Sequence, residues 1–130
     1  MKEILFLTLA EVLDIHRELI EEFGGSPGLR DLGLLESALA LPAAGFDATY
    51  FHEDIFAMAA AYLFHLCRNH PFLDGNKRTA ALAAYAFLGL NGLDLTASPA
   101  AYYNLVMRVA EGKSGKDKIS AFFRKYCRGL

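Results

Sequence analysis

A nine-residue stretch of the sequence, HPFLDGNKR at 70–78, brings together the side chains from which a phosphate-transfer site can be built. It holds an imidazole, a carboxylate, a glycine, an amide and two cations: His70, Asp74, Gly75, Asn76, Lys77 and Arg78. A neutral imidazole titrates near physiological pH and can take a proton from an attacking hydroxyl, so His70 is a candidate general base. Each residue type also occurs singly in turns for conformational reasons. Their combination within one short turn favours a functional interpretation.

The second half of the stretch is suited to phosphate. A helix start offers unpaired backbone N–H groups and positive potential, and glycine lets a ligand approach the backbone closely. If a helix begins here, the N–H groups of Gly75, Asn76 and Lys77 point into the turn. Arg78 can bind phosphate oxygens through two parallel donors, whereas Lys77 acts as a movable point charge. Asp74 is a poor direct partner for phosphate, but it fits as a ligand of a Mg²⁺ ion that also binds phosphate oxygens.

Helical patterns on both sides of the turn predict how it is positioned. Six helices are indicated: one after a Thr8–Glu11 capping box, one after Asp31 ending near Pro42, one from about Glu53 to Asn69, one from Gly75 or Asn76 to about Asn91, one from Ser98–Pro99 to Glu111, and one carrying Ile119 to Tyr126. The third and fourth are apolar nearly all round and are expected in the core. Pro71 disfavours the α region for His70, which is therefore expected at or just past the end of the third helix. Phe72 is expected to point inward and anchor the loop.

These patterns predict an all-α fold, a compact bundle of about six helices with a short flap or hairpin near 43–53. At 130 residues the chain is expected to form a single domain, 1–130. The longest uncharged stretch, 79–93, is shorter than the roughly 20 residues that span a bilayer. The N-terminus lacks the shape of a signal peptide, and two cysteines make no disulfide framework, so a cytoplasmic protein is expected. A formal net charge of −2 gives no electrostatic case for direct nucleic-acid binding.

The turn resembles the signature of the Fic/Doc (Fido) family, H-x-F-x-[D/E]-[G/A]-N-x-R. All six positions match, as His70, Phe72, Asp74, Gly75, Asn76 and Arg78. Lys77 stands where members that transfer AMP usually have glycine, and lysine there is typical of the Doc, or death-on-curing, branch. The upstream stretch GGSPGLRDLGLLESALA is also similar to that branch.

The resemblance implies a helical Fido fold and a reaction that uses ATP with Mg²⁺. His70 would activate a hydroxyl on a target protein, Asp74 would hold the metal, and residues 75–78 would hold the phosphates. A Doc-like toxin of a type II toxin–antitoxin system would transfer the γ-phosphate to elongation factor Tu and arrest translation. The expected partner is a Phd-like antitoxin whose apolar segment lies in a groove of the toxin.

The sequence leaves two alternatives to a Doc-like kinase open. A Fic-type AMP transferase is one, although the second arginine that such motifs commonly carry is Ala81 here, which favours the Doc-like reading. A non-catalytic module that binds an antitoxin and tunes repression is another, because the 54% hydrophobic content could leave a groove uncovered. A self-inhibitory pattern, [S/T]-x-x-x-E-[G/N], starts at Thr49 but fails at Asp54, so restraint is expected from a separate protein. The stretch 43–53 either docks the target by strand addition, as in the family, or is a packed surface loop.

Overall fold

Most of the helices begin directly after a side chain that caps them. The computed structural model describes residues 3–130. Over that range it contains six helices: α1 (Leu9–Phe23), α2 (Leu32–Ala40), α3 (Ile55–Asn69), α4 (Asn76–Leu90), α5 (Pro99–Ala110) and α6 (Lys116–Tyr126). Four of them start after a residue whose side-chain oxygen accepts a hydrogen bond from an N–H of the first turn: Thr8, Asp31, Asp54 and Ser98. Such bonds satisfy donors that a helix start otherwise leaves unpaired.

Helices α3 and α4 form the centre of the bundle, as predicted. α3 packs against α4, α6, α2 and α5, and α1 lies on α4. Eight residues of α3 and seven of α4 are buried. Twelve of these fifteen belong to one hydrophobic cluster, whose largest fully buried side chains include Tyr62, Phe87 and Phe123. The turn that joins α3 to α4 is thus held between the two most buried helices. Among the described helices, none is both long and apolar enough to cross a membrane.

Two short hairpins accompany the helices. The predicted one is confirmed: β1 (Gly45–Phe46) pairs antiparallel with β2 (Thr49–Tyr50), after a 3₁₀ turn at Leu41–Ala43. The sequence did not predict the other, in which β3 (Leu93–Leu95) pairs antiparallel with β4 (Cys127–Gly129). This pairing fastens the C-terminal end of the described chain to the end of α4. Helix α3 begins slightly later than predicted, because Asp54 caps it.

Candidate active site

The turn between α3 and α4 is bracketed by two residues in the left-handed backbone region. His70 ends α3 with φ 48° and ψ 55°. Pro71 explains why α3 ends here, since the residue before a proline avoids the right-handed helical region. A following proline favours an extended backbone, so other contacts of the turn must hold His70 in the left-handed region. Gly75 precedes α4 with φ 76° and ψ 19°, a conformation that glycine adopts without steric cost. The sharp reversal leaves His70 exposed at the surface of the protein.

The side chain of Asn76 holds the turn in shape. Its Oδ1 accepts a hydrogen bond from the Phe72 N–H at 3.0 Å, and its Nδ2 donates to the Phe72 carbonyl at 3.0 Å. The same Nδ2 lies 3.3 Å from His70 Nδ1. Asn76 and Phe72 are only 7% and 2% exposed. Asn76 can therefore offer a ligand only its backbone N–H, because its side chain is bonded within the protein.

His16, on α1, fastens the turn from one side, a role that the sequence did not suggest. Its ring is 5% exposed and stacks on Phe72, with centroids 3.8 Å apart and planes 7° from parallel. Its Nε2 lies 2.8 Å from the carbonyl oxygen of Asp74. A carbonyl can only accept, so His16 carries its proton on Nε2 when this bond forms. In the sequence His16 stood out only as one member of the buried face of α1.

The segment 28–31 fastens the turn from another side, and the sequence did not suggest this role either. Arg30 donates from Nε to the carbonyl of His70 at 2.6 Å and from Nη2 to the carbonyl of Asn69 at 2.8 Å. The Arg30 N–H also donates to the carbonyl of Pro71 at 2.8 Å. Leu29 and Phe72 form an isolated antiparallel bridge. A cation at the carbonyl end of a helix is favoured by the helix dipole, so Arg30 is well placed to hold the end of α3.

Asp74 is exposed and contacts the loop that follows α1. Its Oδ1 accepts from the Gly75 N–H at 2.9 Å and its Oδ2 from the Ser26 N–H at 3.3 Å. Gly25 has φ +117°, and a Cβ there would lie 2.7 Å from Asp74 Oδ2, so only glycine fits this close approach.

The donor set at Asp74 fits a Mg²⁺ ion that is bound together with phosphate. A carboxylate offers about four lone-pair sites, and the two hydrogen bonds leave room for a metal. Residues 3–130 contain no group of three or more His, Cys, Asp or Glu side chains that could hold a metal ion. Asp74 is thus a suitable single protein ligand, with the remaining ligands coming from phosphate and water, as Mg²⁺ commonly allows.

A cleft of about 660 Å³ opens at the start of α4 and is walled by α5. One part of its lining is polar and cationic, from residues 74–78. The other is largely apolar and aromatic: Ala81, Pro99, Tyr102, Tyr103, Val106 and Met107. Such a cleft suits a ligand with an anionic end and a flat apolar end. His70 does not line the cleft, but its Nδ1 lies 3.3 Å from Nδ2 of Asn76, a lining residue.

The two cations of the cleft are held differently. The Arg78 guanidinium lies over the Phe23 ring, 4.5 Å from its centroid, which keeps its edge free to donate hydrogen bonds. Lys77 is exposed and takes part in none of the salt bridges found between residues 3 and 130. Lys77 is therefore available to bind an anion.

Comparison with known proteins identifies the family. Residues 6–88 match the model of the Fic/DOC family. The chain belongs to the Fic/DOC family. The chain is 32% identical over 117 residues to "Protein kinase doc" of Escherichia phage P1, covering 88% of this chain and 90% of that protein. It is 47% identical over 75 residues to "Toxin Doc" of Mycolicibacterium smegmatis, and the match spans 58% of the length of each. The Doc branch expected from the motif is thus confirmed for this Fic/DOC protein.

Proposed function

We propose that this protein is a Doc-like toxin kinase, which transfers the γ-phosphate of ATP to a hydroxyl of elongation factor Tu and so arrests translation in the cytoplasm. The observation that carries the proposal is the cleft at the start of α4. Its cationic end, with the N–H groups of a helix start, suits a polyphosphate, and its apolar end on α5 suits a nucleobase. The names of the two relatives, a toxin and a protein kinase, support the same activity.

The residues of the turn divide the work of the reaction. The N–H groups of Asn76, Lys77 and Arg78 and the two cationic side chains bind the phosphates. Asp74 would hold a Mg²⁺ ion, which neutralises phosphate charge when bound. His70 takes the proton of the target hydroxyl while its oxygen forms a bond to the γ-phosphorus, and ADP leaves with the electrons of the broken P–O bond.

The orientation of ATP depends on Lys77 and Ala81. The Lys77 side chain takes up space that glycine leaves open in members that transfer AMP. Ala81 lines the cleft at the position where a second arginine would bind another phosphate. Both features favour attack on the γ-phosphate.

Incubation of the protein and elongation factor Tu with γ-labelled or α-labelled ATP tests the orientation. We expect label on the target from the γ position and none from the α position. Label from the α position alone would establish AMP transfer and overturn the proposal. No label from either position, with an intact fold, would favour the non-catalytic antitoxin-binding module.

Replacing His70 tests the base. His70→Asn keeps a residue that tolerates the left-handed backbone, so we expect the fold and ATP binding to persist. Transfer should fall by about 10²-fold or more, the usual contribution of a general base. Turnover at the wild-type rate in both His70→Asn and His70→Ala would exclude this assignment.

The proposed toxin needs a restraint, which we assign to a Phd-like antitoxin. The exposed apolar side chains along α4 and α5, Leu82, Tyr85 and Tyr103, offer it a surface. Co-expression with the product of the neighbouring gene should yield a stable complex that lacks transferase activity. A free, fully active protein after co-expression would contradict this partner.

A further inference from the structure

A second groove lies between α5 and α6, on residues of α5 different from those that wall the nucleotide cleft. Both helices pack on α3, and the space of about 630 Å³ between them is open. α5 contributes Ala101, Asn104, Leu105 and Arg108, which are spaced as one helical face. α6 contributes a matching face, with Lys118, Ala121, Phe122 and Lys125. The groove is thus lined by two facing helical stripes.

The groove has an apolar floor and cationic ends. Leu105, Ala121 and Phe122 supply apolar surface between the charges. Arg108, Lys118 and Lys125 are exposed, and no carboxylate lies among the lining residues. None of these three cations takes part in the salt bridges formed by residues 3–130. These three side chains are therefore not held in an ion pair with a carboxylate of the described residues, although Lys125 Nζ also lies 5.2 Å from the centroid of the Tyr126 ring.

The charge distribution along the chain points the same way. Residues 107–130 contain seven Lys or Arg and two Asp or Glu, whereas the whole chain carries a net charge of −2. Three of these seven basic residues line the groove, in the basic segment of an otherwise acidic protein. Such segregation attracts an anionic partner to one face.

We propose that this groove binds an acidic amphipathic helix of a partner protein. Helix α6, with 11 residues at about 1.5 Å each, gives the groove a length of about 16 Å, which matches roughly three turns of helix. An apolar stripe on the partner would lie on the floor, and its Glu or Asp residues would reach the three cations. The inference stands independently of the transferase activity.

The structure favours a helix over two other occupants. Single-stranded nucleic acid uses open aromatic faces, but the rings of Phe122 and Tyr126 pack on each other, with centroids 4.8 Å apart. A second copy could offer its acidic helix α1, but the apolar face of α1, with Val12 and Leu19, is buried in its own core. The groove therefore lacks the open ring faces that nucleic acid would use, and a second copy lacks a free apolar helix face to place on the floor of the groove.

The probe is a fluorescein-labelled peptide of about 14 residues in which Leu and Glu alternate at helical spacing, long enough to fill the groove. A scrambled peptide of the same composition and a version with Lys for Glu serve as peptide controls. By fluorescence anisotropy, the acidic helical peptide should bind in the micromolar range, more weakly as salt rises, and the two controls should not. Phosphotransfer activity should be unchanged by the groove variants that follow.

Charge reversal locates the binding. Lys118→Glu and Lys125→Glu should each weaken binding about tenfold, since each removes one attraction and adds one repulsion. Arg128 is an exposed cation on β4 outside the groove, so Arg128→Glu should leave the affinity for the acidic helical peptide within about twofold of the wild-type value. Ala121→Trp should block the floor without changing charge.

Three outcomes would overturn the proposal. One is equal binding of the helical and scrambled peptides, or binding that Lys118→Glu and Lys125→Glu do not weaken. Another is preferential binding of single-stranded RNA at the same cations, which would assign a nucleic acid to the groove. The last is self-association of the protein that the same substitutions abolish, which would assign the groove to a second copy.

Discussion

Arg30 offers the sharpest test of how the turn is held. Replacing it with alanine removes two hydrogen bonds to the end of α3, at 2.6 Å to the His70 carbonyl and 2.8 Å to the Asn69 carbonyl. A left-handed backbone costs a residue such as His70 roughly 1–2 kcal/mol, which its surroundings must offset. Hydrogen bonds from a charged donor contribute about 1.5–3 kcal/mol, and the exposure of Arg30 places it at the low end. We therefore expect Arg30→Ala to reduce the free energy that favours the observed conformation of His70 by roughly 1–2 kcal/mol. This corresponds to a five- to thirtyfold fall in turnover.

Steady-state phosphotransfer measures this effect. We expect kcat to fall in Arg30→Ala while KM for ATP stays constant, because Arg30 lies outside the nucleotide cleft. Arg30→Lys keeps the charge but not the planar fork that reaches two carbonyls, so its kcat should be intermediate. Arg17→Ala is the matched control. Arg17 is an exposed arginine of α1 whose salt bridge, 3.0 Å to Asp14, stays within its own helix.

Two results would refute this reasoning. One is an unchanged kcat in a folded Arg30→Ala protein, which would show that contacts other than those of Arg30 keep His70 in place. The other is a loss of activity that merely follows the unfolded fraction measured by circular dichroism. In that case Arg30 would stabilise the fold without positioning the base.

Three other substitutions probe the surroundings of the turn and the core. His16→Phe should keep the stack on Phe72 but lose the hydrogen bond to the Asp74 carbonyl, so kcat should fall with little change in Tm. His16→Ala should in addition destabilise the fold by about 2–4 kcal/mol, because it leaves a cavity. Asn76→Ala leaves the buried N–H and carbonyl of Phe72 unpaired. It should lower the free energy of unfolding, measured in urea, by about 1–3 kcal/mol for each group. Burial, with Lys116 and His52 nearby, lowers the pKa of His65 to about 4. Between that value and its ordinary pKa near 6.5 the unfolded chain binds more protons than the folded one, so the urea midpoint should fall as the pH drops through this window. His65→Gln should make the urea midpoint less dependent on pH in this window. An unchanged pH dependence in this variant would contradict the role of His65.

The helices could be predicted because their signals are local. Each cap lies within three residues of the N–H it binds, as at Thr8 and Ser98. The turn could be predicted for the same reason, since its chemistry occupies consecutive positions and Pro71 ends the helix at its neighbour. Only the start of α3 was displaced, because Glu53 and Asp54 are both acidic and the sequence did not show which of them caps the helix.

The contacts that hold the turn could not be predicted, because they join distant parts of the chain. His16 meets the Asp74 carbonyl across 58 residues and Arg30 meets the His70 carbonyl across 40. The pairing of β3 with β4 likewise joins two three-residue strands, too short for an alternating pattern to stand out. One signal was present: the stretch GGSPGLRD is richer in glycine than a plain connection needs, and Gly25 proves necessary for the approach to Asp74.

The signature residues fall into a buried group and an exposed group, with different roles. Phe72 and Asn76 are almost fully buried and bond to each other, so they shape the turn. His70, Asp74 and Arg78 are exposed, so they can meet a ligand. The turn is braced by α1, by the segment 28–31 and by its own asparagine. A nucleotide bound as we propose would therefore have little backbone to order, and more of its contact energy would remain for affinity and for alignment of the phosphate with the proposed base.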